Sequence, residues 1–133
     1  MKDSTVAREW LDASARTANA KDYDAHMDLI SKKVQVFGVP GFESLGYEDW
    51  ARQSKHEFES GLLKRVSYAG MKVQVMLPGR VMFKTTETVE ATDGSVQTHG
   101  VEIVLEKEPD GKWRVVQERI LSPDEAEHDR ILQ

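Results

Sequence analysis

The stretch HGVEIVLEKEPDGKWRVVQERIL, residues 99–121, decides the fold. Apolar and polar residues alternate on both sides of Glu108-Pro109-Asp110-Gly111, which predicts two long strands joined by a tight turn. Pro109 suits the second position of a type I turn, and Gly111 supplies the left-handed residue that follows in a three-residue hairpin. If Glu108 faces Lys112, regular alternation puts Leu105 opposite Val115, Ile103 opposite Gln117 and Val101 opposite Arg119 on one face. On the other face Glu106 meets Arg114 and Val104 meets Val116, which satisfies charge and apolar pairing.

The same period of two extends upstream. The runs Leu62 to Tyr68, Met71 to Leu77, Val81 to Ala91 and Val96 to Glu108 predict successive strands, with turns at Ala69-Gly70, Pro78-Gly79 and Asp93-Gly94, before the last strand from Lys112 to Leu121. A three-residue turn at Thr92-Asp93-Gly94 sets Glu87 opposite His99, Thr85 opposite Val101, Phe83 opposite Ile103 and Val81 opposite Leu105. A two-residue turn would shift this pairing by one position; the first choice matches apolar residues with apolar ones. Trp113 and Val115 are then expected to be buried beside Leu105 and Ile103, facing the helices. Apolar side chains gather at one end of this face, and Glu87, His99, Gln117 and Arg119 at the other, as in a ligand cleft with a greasy floor.

The first half is helical. Ser4 or Thr5 can cap a helix running to about Asn19, with Val6, Ala7, Trp10, Leu11, Ser14 and Ala18 as its less polar stripe. Asp22 caps a short second helix through Ile30, in which Tyr23, Met27 and Ile30 share a face flanked by His26. Val34 to Val39 predicts a strand that Pro40-Gly41 ends, and Gly46 to Trp50 opens a third helix of about 14 residues that Gly61 stops. Helices first and an antiparallel meander after them give an α+β fold with the helices over one face of the sheet.

With 133 residues and no composition break, residues 1–133 are expected to form one domain, and residues 122–133 a short C-terminal helix or a frayed tail. Without Cys there is no thiolate nucleophile, disulfide or Cys-based metal site, and four dispersed His without His-Glu-x-x-His spacing give no metal site. Nucleotide loops and the nucleophile elbow are missing, so no cofactor is expected. A net charge of -5 argues against a broad nucleic-acid or anionic-membrane surface. No run approaches a membrane span, and the N-terminus lacks an apolar run after its charge, so the expected location is cytoplasmic.

The order of elements and four motifs resemble the nuclear transport factor 2-like superfamily, which includes SnoaL-like cyclases and ketosteroid isomerases. The motifs are Asn19 to Asp24, Val36 to Gly41, Gly46 to Trp50 and Asp110 to Val116. The resemblance implies a cone, in which a strongly curved, mostly antiparallel sheet holds the N-terminal helices in its concave face around a pocket, and dimerisation through the outer face. It does not settle the chemistry. Ketosteroid isomerases place a catalytic Asp at the end of the strand after helix two, where this chain has Phe37-Gly38-Val39, and a Tyr donor on helix one, where it has Ser14. Steroid isomerisation of that kind is therefore not expected.

The candidate catalytic pair is Glu87 and His99, with Glu87 orienting or charging a His99 general base. Arg119 would hold an anionic or carbonyl group, while Gln117, Trp113, Phe83, Tyr47, Trp50 and His26 complete the ligand site. The alternative is that Glu87, His99 and Arg119 simply neutralise one another at a sheet end. Two functions follow: a cofactor-independent acid–base enzyme of the SnoaL-like kind acting on a small, largely apolar molecule, or a non-catalytic module that binds a ligand or dimerises. The opposite face, with Met82, Val104, Val116 and Ile120 among Lys84, Glu102, Glu106, Arg114 and Glu118, predicts a two-fold homodimer. Ser122-Pro123-Asp124-Glu125 opens a short helix, expected to dock Ile131 and Leu132 on the partner or across the pocket mouth, or to fray.

Overall fold

A computed structural model describes residues 2–128 and shows an α+β fold. The elements run α1 (Lys2–Asn19), α2 (Tyr23–Met27), β1 (Ile30–Phe37), α3 (Tyr47–Ser60), β2 (Leu63–Leu77), β3 (Arg80–Ala91), β4 (Val96–Lys107), β5 (Trp113–Ile120) and α4 (Pro123–His128). The sheet order is β1-β5-β4-β3-β2, with β1 parallel to β5 and every other pair antiparallel. Helix α1 starts at Lys2, ahead of the Ser4 or Thr5 cap that the sequence suggests. Ile131 and Leu132 lie outside the described residues.

Helix α2 is shorter than predicted, and β1 starts earlier, at Ile30. Asp22 caps α2 by accepting from the Ala25 N–H, as expected. Its other end is fixed by Asp28, which binds Lys112 at 2.7 Å and Arg114 at 3.0 Å and so ties the chain to the β4–β5 turn. Ile30 and Ser31 are then buried on β5, where a helical continuation would leave them off the sheet. Gly38, just past β1, has φ +89° and runs so close to β5 that a Cβ there would lie 2.5 Å from the Ile120 carbonyl oxygen. Only glycine fits.

Two bulges correct the predicted sheet. Ala69-Gly70 is not a turn: β2 is one strand of 15 residues, and its register on β3 slips between Ala69 and Lys72. Gly70, at φ +73°, takes the bulge conformation, and the Thr85 hydroxyl donates to the Ala69 and Gly70 carbonyls that the slip leaves free. The second bulge is at Val116. Leu105 pairs with Val115 as expected, but Val104 pairs with Gln117, Ile103 with Glu118, Glu102 with Arg119 and Val101 with Ile120. From there on every β5 side chain lies on the face opposite to the predicted one.

The β3–β4 ladder has no such slip. Val81, Phe83, Thr85 and Glu87 pair with Leu105, Ile103, Val101 and His99 as read from the three-residue turn. Ala7, Trp10, Leu11, Met27 and Ile30 of the helices and first strand pack on Val81, Phe83, Val101, Ile103, Leu105 and Val115. Val115 is fully buried as predicted, whereas Trp113 is only half-buried at the rim of this core. On the other face, α4 reaches Lys84 and Arg119 through Glu125, over a sheet centre where Lys84, Thr86, Glu102 and Val104 are already buried.

Candidate functional site

At the end of the concave face away from the apolar core, α1, α2, α3 and strands β2, β3 and β5 enclose a cavity of about 150 Å³. Its apolar walls include Trp10, Trp50, Phe58, Leu63 and Val89, and its polar lining is Ser14, His26, Ser54, Glu57, Tyr68, Glu87 and Glu118. A more open depression of about 200 Å³ between α3 and the β1–β5 edge shares Trp50, Ser54, Glu57 and Glu118 with it. Larger surface clefts of about 500 and 440 Å³ lie elsewhere, one between α1 and β2 and one beside α2. Their charged side chains are largely paired or solvated, so we place the chemistry in the smaller cavity, where titratable groups are desolvated.

The polar wall begins at the end of α1. The Asn19 side chain donates to the Val66 carbonyl and accepts from the Val66 N–H at 2.7 Å, which pins the helix to β2 and sets Ser14 against Tyr68. Tyr68 donates its only phenolic proton to Glu87 Oε2 at 3.2 Å, so at the 3.1 Å contact with Ser14 its oxygen accepts. Burial and the neighbouring Glu87 charge hold the Tyr68 phenol well above its ordinary pKa, and it remains a donor. The other Glu87 oxygen, Oε1, receives His99 Nε2–H at 3.1 Å. That hydrogen bond raises the His99 pKa above 6.5 despite partial burial.

His26 is arranged in the opposite sense. Its Nδ1 lies 2.8 Å from Thr17 Oγ1, and the Thr17 hydroxyl proton points back at the Ala13 carbonyl, also at 2.8 Å. With the hydroxyl proton assigned to Ala13, the oxygen accepts from Nδ1–H, and this tautomer leaves Nε2 with its lone pair. The ring is buried, with Phe58 edge-on at 5.4 Å. Burial lowers its pKa, only partly offset by the Glu87 charge and a hydrogen bond to the Ser14 backbone, so the imidazole is neutral at pH 7.

Glu118 completes the set. The Val116 bulge turns it into the cavity, where its carboxyl makes no hydrogen bond among the described residues. Burial first, and the charge of Glu87 second, push its pKa up to about 8. A base without a proton and an acid that keeps one thus share one small cavity.

Residues 7–123 match the family model described as the SnoaL-like domain. The chain belongs to this family. Its fold is that of the nuclear transport factor 2-like superfamily, and solved structures agree. A candidate scytalone dehydratase from Novosphingobium aromaticivorans superimposes with a TM-score of 0.73 at 8% identity, over 88% of this chain and 81% of that one. A candidate aromatic ring hydroxylase from the same organism gives 0.71 at 14% identity, over 92% and 91%. A candidate dehydratase of the nuclear transport factor 2-like family from Streptomyces avermitilis gives 0.67 at 14%, over 90% and 95%. At these identities the likeness is one of fold. No curated protein sequence matches the chain.

Within the SnoaL-like cone, the structure brings Glu87, His26 and Trp50 into the cavity wall and hydrogen-bonds His99 to Glu87 from outside that wall. Phe83 lies fully buried in the core below. Trp113 packs at the far rim of the core, and Tyr47 stands under Lys32, 4.3 Å from the Nζ to the ring centre, beside α2. Arg119 and Gln117 are not in the cavity: the bulge places both on the outer face, and Arg119 there binds Glu102 and Glu125. The predicted meeting of Arg119 with Glu87 and His99 is thereby overturned. Sequence reasoning missed Tyr68, Glu118 and Ser54 as cavity residues. Ile120 held a usable signal: it packs on the core five positions after Val115, an odd spacing that strict alternation cannot satisfy.

Proposed function

We propose that this SnoaL-like protein is a cofactor-independent acid–base enzyme that moves a proton on a small, largely apolar molecule. The supporting observation is the unpaired, proton-retaining carboxyl of Glu118 in the cavity that also holds the neutral His26. In this scheme His26 Nε2 removes a proton from carbon adjacent to a carbonyl, and Glu118 donates its proton to the oxygen where negative charge develops. For an isomerisation, the proton on His26 returns to another carbon and the enol proton returns to Glu118. For a dehydration, Glu118 protonates the departing hydroxyl, water leaves, and His26 passes its proton back to Glu118. Tyr68 and His99 act as positioning residues through Glu87, which both hold in place by hydrogen bonds.

The scheme requires neutral His26 and protonated Glu118. It therefore works best between the lowered pKa of His26, below 6.5, and about 8. Cyclohexanone in D2O is a suitable probe, with α-hydrogen exchange followed by NMR. Exchange above buffer should be lost in Glu118→Gln and His26→Ala, by roughly 100-fold as expected for general acid–base groups. Exchange by both variants at the wild-type rate would sink this reading and favour a non-catalytic binding module.

We further propose that the protein works as a two-fold homodimer in the cytoplasm. Exposed Met76 and Leu77 at the β2–β3 turn and half-buried Met82 on the outer face support association. A monomer in sedimentation at micromolar concentration would refute it.

A further inference from the structure

We infer that the cavity is selective for an uncharged molecule of one ring bearing a hydrogen-bond-accepting oxygen, and that it rejects carboxylates and phosphates. This rests on the proposed site but specifies its ligand independently of any reaction there. The size comes first, because a cavity of about 150 Å³ is of the order that one six-membered ring fills. Trp10, Trp50 and Phe58 supply flat apolar walls for it.

The polar groups that can still bond a ligand are few. His26 and Ser54 are more than nine-tenths buried, at 7% and 5% exposure, and both line the cavity. His26 Nδ1 is occupied by Thr17 and the ring also meets the Ser14 backbone, while no side chain among the described residues bonds Nε2. The Ser54 hydroxyl likewise has no partner among the described residues. Both Glu87 oxygens are occupied, by Tyr68 and His99. That leaves the Glu118 carboxyl and the Ser54 hydroxyl as donors, His26 Nε2 as a buried acceptor and the half-exposed Glu57 carboxylate as a second one. A carbonyl or hydroxyl oxygen on a ring meets these needs.

Charge decides the rest. Among the described residues no Lys or Arg lines the cavity, since Arg119 is turned to the outer face and held by Glu102 and Glu125. His99, whose ring is charged only when protonated, is bound to Glu87 from outside this wall. An anion would enter a desolvated site beside Glu57, Glu87 and Glu118 without a counter-charge, and it would lose its hydration for nothing. An ammonium would find carboxyls, but it would have to displace the proton that Glu118 keeps at neutral pH.

The test uses three probes of one shape on the full-length protein at pH 7: cyclohexanone, cyclohexanecarboxylate and cyclohexylamine, with the Trp50 indole and His26 ring followed by NMR. Cyclohexanone should shift both signals saturably, with the other two binding at least roughly tenfold more weakly. Glu118→Gln, which keeps a donor, should retain ketone binding, whereas Glu118→Val should weaken it. Carboxylate binding as tight as the ketone, tighter amine binding with proton release, or no shift from any probe would each overturn the inference. Ketone binding without α-hydrogen exchange would break the acid–base reading and leave the ligand class standing; exchange without discrimination by charge would do the reverse.

Discussion

The β3–β4 and β4–β5 hairpins share a strand and a turn length, yet they behave differently along their ladders. In the first, the register set at Thr92-Asp93-Gly94 persists from Val96 to Glu106. In the second, it holds from Lys107 to Leu105 and is then shifted by the single extra residue Val116. The first ladder therefore positions Glu87 and His99 where regular alternation puts them, and the second exchanges Arg119 for Glu118 inside the cavity. One extra residue replaces a guanidinium with a carboxyl in the cavity wall. Alternation is local, whereas a bulge is selected by tertiary demand, here the need to bury both Val115 and Ile120 against the helices.

The largest expected effect sharpens this contrast in the core. Phe83, in the regular ladder, is fully buried, so Phe83→Ala should cost about 3–5 kcal/mol. Trp113 begins the slipped ladder and is half-exposed, so Trp113→Ala should cost about half as much despite removing a larger ring. Urea denaturation of the two variants decides it. Equal losses would mean that the rim around Trp113 is packed like the core.

How far the fold could be read beforehand follows from the same contrast. The helix caps at Asp22 and Gly46, the Gly61 stop and three hairpin turns were legible because each rests on a short-range backbone requirement. Ala69-Gly70 looked like another such turn. It is a bulge because β2 continues along β3, a long-range fact that no dipeptide encodes. Glu87 and His99 were found together because an unbroken ladder joins them. Tyr68 and Glu118 were missed because each lies beyond a slip or reaches the cavity from a strand whose register depended on one.

A smaller effect separates Glu118 from Arg119. A carboxyl whose folded pKa stands near 8 against an ordinary 4.5 binds its proton more tightly in the folded state. Stability should accordingly fall as pH rises between those values and level off above. Glu118→Gln should remove that slope and stabilise the protein at pH 8. Arg119→Gln breaks a half-exposed contact to Glu125 and takes two donors from the buried Glu102 carboxylate, and should cost about 1–3 kcal/mol with Glu118's slope intact. Urea midpoints from pH 5 to 9 give both results. A slope that survives Glu118→Gln would show that the carboxyl inside the cavity is not the group responsible.

The smallest expected effect concerns α4. One expectation from the sequence was that the C-terminal helix docks across the pocket mouth. With Arg119 turned outward, α4 follows it: Glu125 binds Arg119 at 2.8 Å and Lys84 at 3.3 Å, on the face of the sheet opposite His99. Arg119 in turn holds Glu125's pKa down near 2, so this tie is ionised at every pH where His99 titrates. Deleting residues from Pro123 onward should leave the His99 titration by NMR unchanged. Glu87→Gln should move it toward lower pH, because the hydrogen-bonding carboxylate that raises His99 is lost while the burial that lowers it remains. A tail deletion that shifted His99 as much as Glu87→Gln does would mean that the electrostatics of the two faces are joined through the sheet, and that the bulge does not separate them.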